Sequence, residues 1–312
     1  MPNGYDKPLY ILPFDHRHSY LSKLFQWQEP LTAEETAEVA ASKQVIYEGF
    51  KAAVANGVLP DRAGILVDEE FGSAILRDAV SHGTITCMPV ERSGQEEFEF
   101  EYGEDFERHI EEFNPTFAKA LVRYNPEGNA RHNKRQTEQL HRLSGYLARS
   151  HRLFMIGLIV PPEQAQLAHL GGDQKARLAG DQDVYDRELR PKLMVETIRT
   201  LQGAGIEPDV WKVEALDRRE DCEKIVETAR HYGREKVGCI VLGHGSDEQK
   251  VRSWLKTAAS VSGFIGFAVG RTTWWDAVAA WHEKKISRDE AIVQIAKRFQ
   301  EWANIFDEAH RI

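Results

Sequence analysis

Eight short apolar runs recur along this chain, and their number constrains the fold more than any other feature. They are "LYILPF" (9–14), "GILVD" (64–68), "TITCMPV" (84–90), "FAKALVRY" (117–124), "LFMIGLIV" (153–160), "DVWKVE" (209–214), "VGCIVLG" (237–243) and "GFIGFAVG" (263–270). Each is rich in Val, Ile and Leu and nearly continuous, as strands buried on both faces are. Longer amphipathic stretches separate them. The stretch 32–56 opens with Thr32 three residues before Glu35, the spacing of a capping box. Helical periodicity also covers about 131–149, 187–203, 218–231 and 247–258, and 287–312 reads as a last long helix capped by Ser287. Strict strand–helix alternation predicts a parallel sheet. Eight such strands are what a closed α/β barrel, the (β/α)8 TIM fold, requires. No linker or shift in composition divides the 312 residues, so one barrel domain over 1–312 is expected.

Two connections are long: about 90–106 after the third strand and 161–188 after the fifth. Both follow the carboxyl end of a strand, where barrels carry their active sites. Long connections of this kind are often lids or binding loops; for 163–183 a decorative short helix plus a mobile turn is an equal alternative.

Charge and cysteine content narrow the function classes. A formal net charge of -9 disfavours nucleic acid and anionic membrane as partners, but leaves room for a small phosphorylated ligand in a locally basic pocket. Three cysteines, Cys87, Cys222 and Cys239, with no CxxC pair, point to a reducing compartment. The N-terminal stretch lacks a signal-peptide pattern, and the longest apolar run, 153–162, is about half a membrane span. A cytoplasmic location is expected. Self-association is an open expectation.

Chemistry concentrates at strand ends. In 209–214, Trp211 and Val213 share one face while Val210, Lys212 and Glu214 share the other. If the tryptophan packs under the helices, Lys212 points into the barrel. A desolvated lysine has a lowered pKa, and its neutral amine can attack a carbonyl to form an imine. A salt bridge from Lys212 to Glu214 or an aspartate is the plain alternative. Lys119 and Arg123 share a face of the fourth strand, and a second cation there would help keep Lys212 neutral. Asp15 sits where the first strand becomes a loop and could move a proton. Arg17 could grip an oxyanion. Asp68 and Glu70, read on one face of the second strand's end, could orient Lys212 or plug the barrel against Arg123. His16 and His18 offer a weak metal-chelating spacing without a matching third ligand, so no metal is expected. The last two strands run into glycine-rich turns with Gly243, Gly245, Gly270 and Arg271, where barrels commonly hold phosphate. Neither turn is a Walker or Rossmann pattern, and no cofactor is expected.

Taken together, the blocks "YILPFDHRHSY", "GILVDEEFG", "MPVERSGQEEFEFEYG", "ALVRYNPEG", "YDRELRPKLMVETI", "DVWKVEALDRREDC", "CIVLGHG" and "GFAVGRTTWWDAVAAW" resemble the aldolase-like domain that accompanies 5-dehydro-2-deoxygluconokinase in bacterial inositol breakdown. That domain is often left as one of unknown function. More distantly, "ILVDEEFG", "DVWKVE" and "AVGRTTW" resemble class I tagatose-bisphosphate and sulfofructose-phosphate aldolases. The resemblance implies a (β/α)8 barrel and metal-free aldol chemistry on a phosphorylated keto sugar or keto acid. In the inositol pathway this would be cleavage of 2-deoxy-5-keto-gluconate 6-phosphate to dihydroxyacetone phosphate and malonate semialdehyde. It places the imine-forming lysine on Lys212, the first-strand aspartate on Asp15 and the phosphate-binding Gly-Arg on Gly270 and Arg271. One position departs: the aldolases carry a glutamate inside the fifth strand, where Gly157 stands here. Gly157 cannot carry a proton, so a metal-dependent lyase or isomerase and a non-catalytic sugar-phosphate binder remain alternatives.

Overall fold

All eight apolar runs become strands in the computed structural model, which describes residues 4–170, 180–243 and 247–310. They are β1 (Leu9–Pro13), β2 (Ala63–Leu66), β3 (Ile85–Pro89), β4 (Phe117–Arg123), β5 (Leu153–Ile159), β6 (Val210–Glu214), β7 (Gly238–Leu242) and β8 (Phe264–Ala268). Every strand pairs in parallel with the next, and β8 returns to β1, closing a barrel. The protein is a (β/α)8 TIM barrel.

Alternation along the strands sorts side chains into two apolar sets. Trp211, Val213, Ile156, Leu158, Val241 and Phe267 pack outward under the helices. Leu9, Ile11, Leu66, Cys87, Phe117, Met155, Val210 and Ile240 face inward and fill the lower lumen.

The helices start where local chemistry permits. Thr32 caps Ala33–Ala55 in a capping box with Glu35. Ser287 and Glu290 exchange hydrogen bonds at the start of Arg288–His310. Asn129 and Asp247 cap Ala130–Arg149 and Glu248–Ala259. The terminal helix Arg288–His310 packs against Ala33–Ala55 and is tied to the barrel by Trp302, whose indole N–H donates to Thr273 Oγ1 at 3.1 Å.

Among the described residues, three helices of eight or more residues lie outside the expected helical stretches: Glu69–Ser81, Phe106–Phe113 and Arg271–His282. The first overturns the expectation that Asp68 and Glu70 share a strand face. Strand β2 ends at Leu66, and Asp68 is the N-cap of Glu69–Ser81, accepting from Phe71 N at 2.9 Å. Glu70 lies exposed in the first turn of that helix. The two-residue rule that placed them together holds only while the backbone is extended.

The connection after β3 is an ordered hairpin-like excursion. Arg92 N donates to Glu99 O at 2.9 Å and Glu101 N to Val90 O at 3.0 Å. Phe98, Phe100 and Phe106 are buried beneath it, with Phe100 and Phe106 stacked at 4.0 Å. The connection after β5 carries short helices at Gln164–Leu170 and Gly180–Val184. No helix among the described residues is long and apolar enough to cross a membrane.

Candidate active site

Two residues above the apolar floor, the lumen changes character. On β4 the inward series Phe117, Lys119, Leu121, Arg123 passes from ring to ammonium. On β6, Val210 gives way to Lys212, and on β3 the series Cys87, Pro89 continues to Glu91 just past the strand. These charges border a cavity of about 460 Å³ at the carboxyl ends of the strands. Its wall includes Asp15, His16, Arg17, Glu91, Lys119, Arg123, Lys212, Gly243, Gly270 and Arg271.

Lys119 is the hub. Its ammonium, 1% exposed, donates to Asp15 Oδ2 at 2.8 Å and to Glu91 Oε1 at 2.5 Å. Burial opposes the charge, but these two carboxylates outweigh it and raise the Lys119 pKa. Burial also works against ionisation of Asp15, yet Lys119 and Lys212 hold its carboxyl well below the usual carboxylate range.

Lys212 is 5% exposed and takes part in no ion pair within 4 Å among the described residues. Burial, helped by the positive charge of Lys119, brings its ammonium down to about 8. Glu214, considered at the sequence level as its salt-bridge partner, is engaged elsewhere. It pairs with Arg190 at 3.3 Å and accepts from Val160 N at 2.8 Å.

His16 borders the cavity with a buried, unpartnered Nδ1. Burial, with Arg271 and Lys212 nearby, lowers its pKa to about 4 despite the pull of Asp15, so the ring is neutral near pH 7. His18 lies past the end of β1 in a short helix, so the two histidines do not share a strand face. Among the described residues no group of three or more His, Cys, Asp or Glu side chains is arranged to hold a metal.

The expected oxyanion contacts divide. Arg17 is largely committed to structure, donating to Glu101 Oε2 at 2.5 Å and to the Glu91 carbonyl at 2.6 Å. Arg123 donates to the Gln95 carbonyl at 3.0 Å and has no carboxylate partner among the described residues. Arg271 opens the helix Arg271–His282 at the cavity wall and likewise forms no ion pair there. Gly243 and Gly270 flank the same rim. Gly270 has a packing reason of its own: a Cβ would stand 2.4 Å from the Pro13 carbonyl. Gly245 lies outside the described residues.

Asp68 and Glu70 do not border the cavity and do not orient Lys212. Asp68 is fully buried in an ion pair with Lys43, a lysine that also donates to the His16 carbonyl at 3.1 Å. Lys43 therefore braces the loop after β1 from behind. Neither Lys43 nor Glu91 was singled out from the sequence. Lys43 lies mid-helix in Ala33–Ala55, where its sequence neighbours give no sign of a partner. Glu91 was assigned to the long loop, although it keeps the inward parity of Cys87 and Pro89. Val90 N donating to Lys119 O at 2.9 Å extends the β3–β4 ladder far enough to preserve that parity.

Gly157 adjoins Lys212 on the neighbouring strand, in register with it and with Leu121. A Cβ there would meet Leu121 Cδ1 at 3.2 Å and Lys119 Cε at 3.6 Å, so neighbouring side chains already crowd the position.

A buried lysine of lowered pKa can supply neutral amine near physiological pH, and Arg123 and Arg271, without an ion pair among the described residues, can receive an anionic group. The chain belongs to the family described as "Uncharacterized protein conserved in bacteria (DUF2090)", which matches residues 3–310. No curated protein sequence matches it. Among solved structures, fructose-bisphosphate aldolase from Plasmodium falciparum is similar, with a TM-score of 0.62 at 12% identity over 95% of this chain and 89% of that one. Fructose-bisphosphate aldolase from Slackia heliotrinireducens gives 0.54 at 11% identity, over 93% and 86%. A Corynebacterium glutamicum protein gives 0.53 at 16%, over 96% and 87%. At these identities the likeness is one of fold alone.

Proposed function

We propose that the protein is a class I aldolase, a carbon–carbon lyase that makes or breaks a bond next to an imine formed on Lys212. One observation carries this reading: Lys212 is buried on the cavity wall with its ammonium brought down to about 8, within range of Lys119, Asp15 and Glu91. A lysine so placed supplies neutral amine near physiological pH, where an ordinary lysine supplies almost none. Asp15, kept anionic by the two lysines, accepts a hydrogen bond from the substrate hydroxyl, and the proton of that hydroxyl passes to water as the carbon–carbon bond breaks. The bonding electrons pass to the iminium nitrogen, giving an enamine and an aldehyde. Arg271, with the backbone at Gly243 and Gly270, binds phosphate, and Arg123 faces a second oxyanion.

The substrate class is a phosphorylated keto sugar or keto acid. Cleavage of 2-deoxy-5-keto-gluconate 6-phosphate to dihydroxyacetone phosphate and malonate semialdehyde fits a ligand with an anionic group at each end, and it rests on the sequence resemblance.

Borohydride reduction in the presence of dihydroxyacetone phosphate tests the reading. Peptide mapping is expected to find the reduced adduct on Lys212 and no adduct in Lys212→Met. An adduct that persists in the variant, or none in the native protein across a panel of phosphorylated ketones, sinks the imine mechanism.

A further inference from the structure

We propose that Glu91 is the proton carrier for imine formation in this cavity, an inference that rests on the imine reading of Lys212. The chemistry itself demands a carrier. An ammonium on Lys212 holds three N–H protons and the finished iminium keeps one, so two must travel from nitrogen to the departing oxygen. A carboxylate can carry them one at a time. It takes the first proton from the ammonium, freeing the amine to attack the carbonyl carbon, and delivers that proton to the oxygen. It then takes a second from the nitrogen of the adduct and gives it to the hydroxyl. The C–O bond breaks, water leaves, and the nitrogen lone pair closes the C=N bond. Protons and electrons balance, and the carboxylate ends as it began.

The side chains around the cavity differ in their fitness for this. Asp15 lies between two lysines and is held ionised, which makes it a hydrogen-bond acceptor and a weak base that rarely takes up a proton. His16 has its pKa lowered to about 4, so it is rarely protonated near neutrality. Glu97 is engaged by Arg135. Glu91 has one oxygen on Lys119 at 2.5 Å, while its other oxygen, Oε2, is buried and has no hydrogen-bond partner among the described residues. An orphaned carboxylate oxygen in a cavity wall is costly unless something that enters the cavity satisfies it.

Glu91 is also held in place. It forms an antiparallel bridge with Phe100, and its carbonyl accepts from Arg17 at 2.6 Å. The register puts it level with Leu121, the β4 residue that pairs with Gly157 beside Lys212, and its charge is felt at Lys212. Pro89 pairs with Lys119, and two residues on, Leu121 pairs with Gly157, which pairs with Lys212. Glu91, two residues beyond Pro89, falls on that line. Lys119 on β4 thus stands between two flanking strands, with Gly157 on one and a carboxylate just beyond the other.

Dihydroxyacetone phosphate carrying heavy oxygen at its carbonyl provides the test, because each passage through the imine releases that oxygen to water. Native protein is expected to release label faster than the spontaneous rate. Glu91→Gln, nearly isosteric, is expected to slow release by about 10²–10⁴-fold. Long incubation with borohydride should still tag Lys212 in this variant, showing that the amine and its pocket survive. In Glu91→Ala, added formate should restore release, since a small acid can replace a missing carrier but cannot rebuild packing. Native-like release by Glu91→Gln overturns the assignment and leaves the lysine in place. So does a folded Glu91→Ala that formate does not rescue, which would confine Glu91 to holding Lys119. Native protein that neither releases label nor traps would fail at Lys212 itself, and the role of Glu91 would fall with it.

Discussion

Phe117 and Lys119 stand two residues apart on one strand, face the same lumen and are equally hidden from water, at 0% and 1% exposed. Phe117 belongs with Leu9, Ile11, Met155 and Ile240 to a dry floor; Lys119 belongs with Asp15, Glu91 and Lys212 to a charged tier. In the lower half burial outweighs the opposing pull of Lys212 and Lys119, pushes the Cys87 thiol up and keeps it neutral. In the upper half burial competes with partners. It loses at Lys119, which has two carboxylates, and wins at Lys212, which has no ion pair within 4 Å among the described residues. The difference between the tiers is therefore one of pairing, and the lysine left without a pair is the one with chemistry open to it.

The largest expected effect comes from making the upper tier resemble the lower. Lys212→Met removes the amine and keeps most of its volume. Lyase turnover should fall by about 10⁴–10⁶-fold, the range seen when a nucleophile is removed. Stability should hold or rise, because a buried cation with no ion pair is exchanged for an apolar chain. Folding suppresses the proton on Lys212, so its cost to stability is fully present below about 8 and fades as the pH climbs toward the ordinary lysine value. A denaturant midpoint that rises with pH through that window in the native protein, and less so in Lys212→Met, is the expected signature.

Breaking the pairing should cost stability instead. Lys119→Met strands Asp15 and Glu91 as buried carboxylates, for about 3–5 kcal/mol. Urea unfolding measures it. The same change removes the cation that helps depress Lys212, so the pH midpoint of trapping should move upward. A Lys119→Met protein as stable as the native one, with its midpoint unmoved, would show that the tiers do not differ by pairing.

A third effect needs no substitution. If only neutral Lys212 attacks, the rate of borohydride trapping should rise about tenfold per pH unit below about 8 and level off above it. A rise that continues toward pH 10 would mean that the lysine is not depressed.

These tiers were partly legible in the sequence. The eight runs and their alternation define the barrel because a strand buried on both faces must be apolar almost throughout. The same alternation puts Lys212, Lys119 and Arg123 on inward faces. It fails at Asp68 because the chain has already left β2 and is capping a helix, and Asp and Glu suit a helix start as well as a strand end. It overlooks Glu91 for the opposite reason: the strand's geometry outlasts its apolar run. Lys43 is illegible at short range. Its partner Asp68 is 25 residues away, and only the packing of Ala33–Ala55 beside β1 and β2 brings the two together.

The smallest effect tests whether the floor is only a floor. Ile240 belongs to the lower tier on β7, and its register partner on β6 is Lys212. Ile240→Val removes one methylene from a fully buried site and should cost about 0.5–1.5 kcal/mol. If the floor contributes packing and dryness alone, turnover and the pH midpoint of trapping should stay at their native values while the unfolding midpoint falls. The lysine's depressed pKa depends first on exclusion of water and then on Lys119. A single methylene leaves a void too small to hold a water, so the dielectric around the amine should not change. An upward shift of the trapping midpoint in Ile240→Val would mean that water reaches Lys212 through the floor, and that the two halves of the lumen are electrostatically one.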